Sequence, residues 1–485
     1  MHPDSARRTP SGETVLLAGF DFGSTTCSAM AAHARLDLNC VTGRVEFGQP
    51  DIFYRSAPRF TPFQDDSRLD LNTVSNLLNL WLTEGNIDPT ILFSGGAIVT
   101  GLAAERDNAR ALTELVERRI GNMVMATVRD PVLESWLAFM GSCADLVRPG
   151  ESPVLNLDIG GGTTNAALGV EGQVIAAGCH FIGARHLQFA PDGETLSGFS
   201  EFGQTLLSHL DLSHSPGERM EPDAIARVIA WYVQALEAIA QGQREIFRES
   251  CGRMHEQVPF TPALPSPPRL TFSGGVGEMI YAALDGTPLP PRSLYGDLGT
   301  DLARAIMASP LLSRDLRTTV PRNRGRATVC GLTVHGTDIS GSTVFLSPQS
   351  RLPLRDLPVL ACVDFETTSR RLADVFAMIG RHPAGGCLRL DTTTPPTLAE
   401  LQDFGRRLAD VFTTSALPPE LPVVILTNRN IGRTLGNYAT RWRTLPVNLI
   451  VLDEVPGRDA RFVRVGRPRN TVLPVSFYDM NHPLG

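Results

Sequence analysis

Val154-Leu155-Asn156-Leu157-Asp158-Ile159-Gly160-Gly161-Gly162-Thr163-Thr164-Asn165 is the run from which the rest of the chain can be organised. A short, mainly apolar segment reads as a strand; it ends in an aspartate and passes into three glycines and two threonines. Glycines let backbone N–H groups approach a bound anion with no Cβ in the way, and threonine hydroxyls add donors. An aspartate beside phosphates repels them unless it holds a divalent cation or orders a water. At the end of an apolar strand it stands where parallel strands present their C-terminal edges to ligand.

The same arrangement occurs earlier in the chain. Val15-Leu16-Leu17-Ala18-Gly19-Phe20 leads into Asp21-Phe22-Gly23-Ser24-Thr25-Thr26. Each half then carries an apolar run ending in the same four letters, Phe93-Ser94-Gly95-Gly96 and Phe272-Ser273-Gly274-Gly275. Strand, D-x-G-x-x-T and F-S-G-G in one order, twice, predict an α/β protein with two related lobes. Two such loops would clamp a polyphosphate between them. The third glycine-rich element, Ser273-Gly274-Gly275-Val276-Gly277-Glu278, would let a nucleoside approach backbone, with Glu278 opening the next helix and facing the ribose.

The first lobe is expected over 14–150, the second over 151–345, and a smaller α/β module over 346–485. Helical periods run over 71–82 and 104–120, and Pro131 opens another helix through Met140. Glu171-Gly172-Gln173 joins two strands as a hairpin, and a long helix spans 222–246. Pro262, Pro265, Pro267 and Pro268 form a stiff connector to the strand before the second F-S-G-G. Residues 352–359 read as turn-broken, and 398–412, 423–426, 431–438 and 447–452 as helix, strand, helix and strand.

Composition narrows the function classes. A chain of 485 residues suits about two to four domains. A net charge of -7 argues against a protein built to hold nucleic acid. The eight cysteines form no C-x-x-C pair, and the ten histidines no H-E-x-x-H pattern. His180 and His186 read as ordinary surface or hydrogen-bonded histidines or as ligands, and no acidic partner in a fixed frame favours a metal site. No apolar run is long enough to span a membrane and no leader pattern is present, so the expectation is a cytoplasmic protein. G-x-x-x-x-G-K-[ST] is absent, and Gly160-Gly161-Gly162 does not present G-x-G-x-x-G.

The two loops, the small-residue helix around Phe139-Met140-Gly141-Ser142-Cys143 and the F-S-G-G-V-G-E segment resemble the superfamily of actin, sugar kinases and Hsp70-type ATPases. Asp21 to Thr26 matches its first phosphate loop, Asp158 to Thr163 its second and Ser273 to Gly277 its adenosine motif, while 327–332 looks like its second connecting helix. The resemblance implies duplicated ribonuclease-H-like lobes closing over ATP and Mg2+.

Over essentially its whole length the chain is similar to the reactivating factors of ethanolamine ammonia-lyase. Besides the second loop, the similarity is carried by Arg106-Asp107-Asn108-Ala109-Arg110, 270–278, Asp338-Ile339-Ser340-Gly341-Ser342-Thr343, Leu452-Asp453-Glu454-Val455 and Arg464-Val465-Gly466-Arg467-Pro468. It implies a chaperone that binds the lyase and, with ATP and Mg2+, releases damaged cobalamin so that adenosylcobalamin can rebind. Cobalamin would be handled through the partner enzyme, ATP turned over slowly, and the chain would act as a homodimer in the cytoplasm, in some settings with a bacterial microcompartment. Asp21 and Asp158 would then organise Mg2+ or its water shell. Ser24, Thr25, Thr26 and Thr163 would face phosphate oxygens, with Gly23, Gly160, Gly161 and Gly162 supplying close backbone. Gly274, Gly275 and Glu278 would contact adenosine. No general base and no phosphate-binding lysine stands out. Two other readings remain: a small-molecule kinase of the same fold, and a non-hydrolysing scaffold for a partner protein.

Overall fold

β1 (Glu13–Phe22) is buried along almost its whole length, as a strand flanked on both sides must be. β2 (Thr26–Leu38) returns antiparallel to it, and β3 (Val45–Phe47), β4 (Asp51–Arg55) and β5 (Arg59–Phe60) pair with β2. β6 (Leu92–Val99) lies parallel to β1 on its other side, and β7 (Val124–Val128) parallel to β6, giving the order β3-β2-β1-β6-β7. The structure, a computed structural model, describes residues 12–39, 44–65, 68–120, 124–128, 130–262 and 267–482.

The Asp70 carboxylate caps α1 (Leu71–Glu84) by accepting from the Asn72 and Thr73 amides. Trp81 of α1 packs on Phe20 and Phe22 at 6.3 and 6.0 Å between ring centroids. The helix expected over 104–120 is two, α2 (Gly101–Ala104) and α3 (Ala109–Ile120). Asn108 sits at the break, where its side chain bonds both the amide and the carbonyl of Leu69, each at 2.9 Å. A tertiary contact there overrides a favourable local pattern. α4 (Pro131–Cys143) starts with Asp130 as cap and proline in its first turn, and is buried nearly throughout.

The second sheet repeats four adjacent strands of the first. β8 (Val154–Ile159) and β9 (Thr164–Val170) are antiparallel, as are β9 and β10 (Gln173–His180). A small hairpin of β11 (Leu187–Phe189) and β12 (Leu196–Phe199) precedes α5 (Glu201–His209) and α6 (Pro222–Gln241). α6 stops short of the expected 246 because Gly242, at φ 67°, turns the chain left-handed and returns its amide to the helix. Ile246 belongs to α7 (Glu245–Arg248), which is followed by α8 (Ser250–His255) and β13 (Glu256–Val258). Part of the proline connector, 263–266, lies outside the described residues. β14 (Arg269–Ser273) runs parallel to β8, completing the order β13-β10-β9-β8-β14. α9 (Gly274–Leu284), α10 (Arg292–Tyr295), α11 (Gly299–Ala308) and α12 (Ala327–Val334) follow.

Register makes the duplication concrete. Asp21 stands opposite Ser28, and Asp158 opposite Asn165, the same seven-residue reach around each turn. Gly23 N–H donates to Thr26 O at 3.0 Å, and Gly160 N–H to Thr163 O at 2.9 Å. The F-S-G-G echo is not structurally equivalent. Ser273 pairs with Asp158 at the end of β14, whereas Ser94 pairs with Leu17 deep inside the first sheet. Ile98 is the residue opposite Asp21, so the first lobe turns out of its strand at Thr100-Gly101 instead. The two sheets thus share the order β3-β2-β1-β6 and β10-β9-β8-β14 with matching hairpin turns, while the parallel β7 extends only the first and the antiparallel β13 only the second.

The third sheet contains β15 (Asp338–Ile339), β16 (Phe345–Leu346), β17 (Leu354–Val363), β18 (Gly386–Leu390), β19 (Val423–Thr427), β20 (Leu449–Leu452), β21 (Asp459–Val465) and β22 (Pro474–His482). Their order is β15-β22-β21-β17-β18-β19-β20-β16, with β17 to β20 parallel. β17 crosses the stretch expected to be turn-broken; Pro358 is accommodated between two register irregularities. α13 (Ser369–Ile379), α14 (Leu398–Thr414) and α15 (Gly432–Ala439) cover one face of the sheet. The other face is no solvated surface. Leu357, Val424, Leu426, Ile450 and Leu452 join Trp136, Leu137 and Phe139 of α4, and Val154 and Ala167 of the second sheet, in one core. No helix among the described residues is long and apolar enough to cross a membrane.

Candidate functional site

The turns after β1 and β8 face each other across a cavity of about 620 Å³. Asp21, Gly23, Ser24, Thr25, Thr26, Asp158, Gly160, Gly161, Gly162, Thr163, Gly274, Gly275 and Glu278 all line it, so every residue singled out from the sequence arrives at one place. The two turns touch: a Cβ on Gly161 would fall 2.3 Å from Thr25 Oγ1, which is why glycine is required there. Ser24 Oγ accepts from the Leu102 amide at 2.7 Å, and Thr61 Oγ1 donates to Gly23 O at 2.7 Å. Ser24 therefore braces the loop against α2, where its oxygen is already engaged.

Asp158 is buried, and Ser273 Oγ donates to its Oδ1 at 2.5 Å. Behind that bond, Asn156 Nδ2 donates to Ser273 Oγ at 2.8 Å, and Thr271 Oγ1 to Asn156 Oδ1 at 3.0 Å. A buried polar chain thus fixes the carboxylate from below. Asp21 Oδ1 and Thr25 Oγ1, in contrast, are buried with no hydrogen-bond partner among the described residues. Orphaned buried oxygens facing a cavity call for a donor or a cation from outside the chain.

α4 supplies a third carboxylate that the sequence reading missed. Glu134 lines the same cavity from the first turn of α4, and Asn165 Nδ2 donates to its Oε1 at 2.8 Å. Its visible signal was one acid in the mainly apolar run from Val132 to Phe139, since lone carboxylates are almost never buried without a task. Burial pushes its carboxyl well above the usual range, and the charges of Asp21 and Asp158 push it further. Burial, then the charge of Asp158, raises Asp21 to about 7, with the Thr100 hydroxyl pulling the other way. Burial raises Asp158 to about 6, with Ser273 opposing. Three crowded carboxyls with raised pKa values suit a divalent cation, whose charge returns them to the ionised form.

Among the described residues no three His, Cys, Asp or Glu side chains form a ready-made metal cage. The sequence contains no lysine, so positive charge at the cavity falls to arginine. Arg326 lines it, donating to Ser56 O at 3.0 Å.

At the far end, Gly274 (φ 77°) lets the chain turn out of β14, where a Cβ would meet Ile159 O at 2.5 Å. The helix begins there, so Glu278 lies one turn inside α9 rather than at its start. Its carboxylate packs over Gly325, and Tyr295, Leu289, Pro290 and Met279 complete an apolar wall. His186 has a role that its reading as an ordinary histidine passes over. Its Nε2 donates to Gly162 O at 2.8 Å, while Nδ1 accepts from Ser200 Oγ at 2.7 Å, which in turn accepts from the Gly203 amide. The second phosphate turn is thereby pinned to the start of α5.

The family described as Ethanolamine utilisation protein EutA matches residues 13–480. The ethanolamine ammonia-lyase reactivase EutA of Salmonella typhimurium is 28% identical over 477 residues, covering 97% of this chain and 99% of that protein. The protein of the same name from Escherichia coli is 27% identical over 487 residues, with 97% and 99% covered. Among solved structures, a Ppx/GppA-family protein from Aquifex aeolicus is 15% identical at a TM-score of 0.34, over 66% of this chain and 88% of that one.

Proposed function

The chain belongs to the Ethanolamine utilisation protein EutA family, and on that premise we propose that it is an ATP-driven reactivase of ethanolamine ammonia-lyase, releasing damaged cobalamin so that intact adenosylcobalamin rebinds. The observation that carries this reading is the convergence of Asp21, Asp158 and Glu134 on one cavity floored by two glycine–threonine turns. Its size suits a nucleotide.

Asp21 and Asp158 would hold Mg2+ or its water shell from opposite lobes, and among the described residues Asp21 Oδ1 has no partner. Magnesium, when bound with ATP, neutralises phosphate charge. Backbone N–H groups around Gly23 and Gly160 to Gly162, with the hydroxyls of Thr25, Thr26 and Thr163, bind phosphate oxygens. Gly274, Gly275 and Glu278 receive the nucleoside. Glu134, ionised once a cation is present, accepts the proton of the attacking water and is oriented for this by Asn165. One buried base with no second nucleophile or substrate carboxylate assigned fits slow hydrolysis, a timer for a switch between lobe arrangements. For work to be done, affinity for the lyase must differ between those arrangements.

We further propose lobes over 14–150 and 151–345 and a module over 346–485, in a cytoplasmic protein that associates with a bacterial microcompartment. The second boundary is a seam rather than a hinge. β15 crosses into the third sheet, where Arg458 forks onto Asp338 at 2.9 and 3.0 Å.

The test is recovery of a cobalamin-poisoned lyase. Asp158→Ala abolishes Mg-ATP-dependent recovery while leaving the far-ultraviolet circular dichroism unchanged; full recovery by this folded variant overturns the reading. Phosphate release only on adding a small alcohol or sugar would favour the kinase, and recovery without ATP would favour the scaffold.

A further inference from the structure

A second group of oxygens gathers far along the chain from the nucleotide cavity. Asp453 and Glu454 follow the last residue of β20, at the C-terminal edge of the parallel strands of the third sheet. Asp453 is fully buried, and the Glu454 side chain is 8% exposed. Asp453 Oδ1 and Glu454 Oε2 each lack a hydrogen-bond partner among the described residues. Both converge on Gly341: the position a Cβ would take there lies 2.7 Å from the first and 2.3 Å from the second. The Thr343 hydroxyl contacts Asp453 Oδ2 and also lies 2.5 Å from Asn430 Oδ1. One hydroxyl proton serves only one of those two acceptors.

The protein's own cations do not settle this cluster. Arg44 Nε stands 3.6 Å from Glu454, and from Oε1 rather than the orphaned Oε2. Burial pushes both carboxyls above their ordinary range; on Glu454 the Asp453 charge adds to this while Arg44 and Asn430 oppose it, and on Asp453 the Thr343 hydroxyl, nearby backbone amides and Arg433 oppose it. Glu454 also sits at φ 58°, a left-handed conformation that costs a non-glycine residue energy and brings its carboxylate beside that of Asp453. Buried oxygens without donors, compressed together and offering neither nitrogen nor sulfur, are what a hard cation takes as ligands. A cavity of about 360 Å³, lined among others by Arg44 and Asp338, touches the cluster at Glu454.

We propose that Asp453, Glu454, Thr343 and Asn430 form a binding site for a hard divalent cation, calcium or magnesium, separate from the nucleotide cavity. The ion ties the entry to β16, the end of β20 and the approach to α15 together at one point, on the side of the third sheet that meets Arg44 of the first lobe. The inference does not rest on the reactivase reading.

The test is calorimetric titration of the chelator-treated full chain with Ca2+ and, separately, Mg2+, without nucleotide. Asp158→Asn disables the nucleotide cavity and serves as background. The expected result is a binding event that survives in Asp158→Asn, disappears in Asp158→Asn/Glu454→Gln and weakens at least tenfold in Asp158→Asn/Asn430→Ala. Asn430 is exposed, so that last variant reads out the site even if Glu454→Gln fails to fold. The cation should also raise Tm in Asp158→Asn and leave it unmoved when Glu454 is replaced. No cation binding in Asp158→Asn, or isotherms unchanged by the Asn430 substitution, overturns the site, and the ion with the tighter isotherm names its occupant.

Discussion

His186 shows how much one buried side chain settles. Burial, and then the neighbouring His255, lowers its pKa to about 3, so the ring is neutral at any pH the protein meets, with its proton on Nε2 facing Gly162. His186→Phe keeps the packing on Phe202 but leaves the Gly162 carbonyl without its donor and the Ser200 proton without its acceptor. The expected cost is about 1–3 kcal/mol of stability, with a rise in the KM for ATP that His186→Gln partly rescues. Steady-state phosphate release checks this, and the KM effect stays flat between pH 6 and 8. At Glu134 the expectation differs. Glu134→Gln keeps the Asn165 contact and lowers kcat by about 100-fold or more, while nucleotide affinity, measured calorimetrically, changes little.

The same carboxylates set a pH dependence. In the folded chain Asp21 is raised to about 7 and Asp158 to about 6, both from 3.8. The folded state therefore holds more protons than the unfolded state between about pH 4 and 7. Stability from this site is present at the acid end and lost as pH rises through that window. A divalent cation with nucleotide removes the penalty where the groups are ionised. The Tm gain from Mg-ATP is thus expected to be larger at pH 8 than at pH 5.5, and scanning fluorimetry at both values decides it. Equal gains would mean that the carboxylates do not share the ligand.

At the scale of elements, what was legible depended on how local its cause was. Each D-x-G-x-x-T turn is a hairpin closed by one hydrogen bond across three residues, so its meaning lies within a dozen letters. The F-S-G-G repeat misled because identical letters do not fix a register: Ser94 and Ser273 face different levels of their sheets. The first-lobe turn at Thr100-Gly101 was hidden behind that false match. The break at Asn108 and the buried acid of α4 come from partners distant in sequence, Leu69 and Asn165. No window along the chain contains them. Gly161→Val tests the element directly. A branched side chain would enter the space of Thr25 Oγ1 and force the turns apart, so nucleotide affinity falls by more than tenfold, while Gly172→Ala, in a turn distant from the cavity, leaves it unchanged.

For the whole molecule, α4 carries the argument. It holds Glu134 toward the cavity and buries Trp136, Leu137 and Phe139 in a core shared with the third sheet. Asp130, its cap, also accepts from the backbone of Asp479 at 2.5 Å and of Met480 at 3.2 Å, in the last strand of the chain. The helix that positions the proposed base is thus clamped by residues 350 places away, and composition or periodicity could not have revealed that. A module attached by a linker would melt on its own; one that shares a core should not. Leu452 lies fully buried in that core, in the third sheet and outside the cavity. Leu452→Ala is expected to cost about 2–5 kcal/mol and to lower one cooperative transition in which far-ultraviolet dichroism and tryptophan fluorescence move together. It should also weaken the Tm gain from Mg-ATP, because α4 is loosened at its other face. Two separate calorimetric transitions, with only the lower one moved by the substitution, would show that the third sheet folds by itself and that the nucleotide cavity does not depend on it.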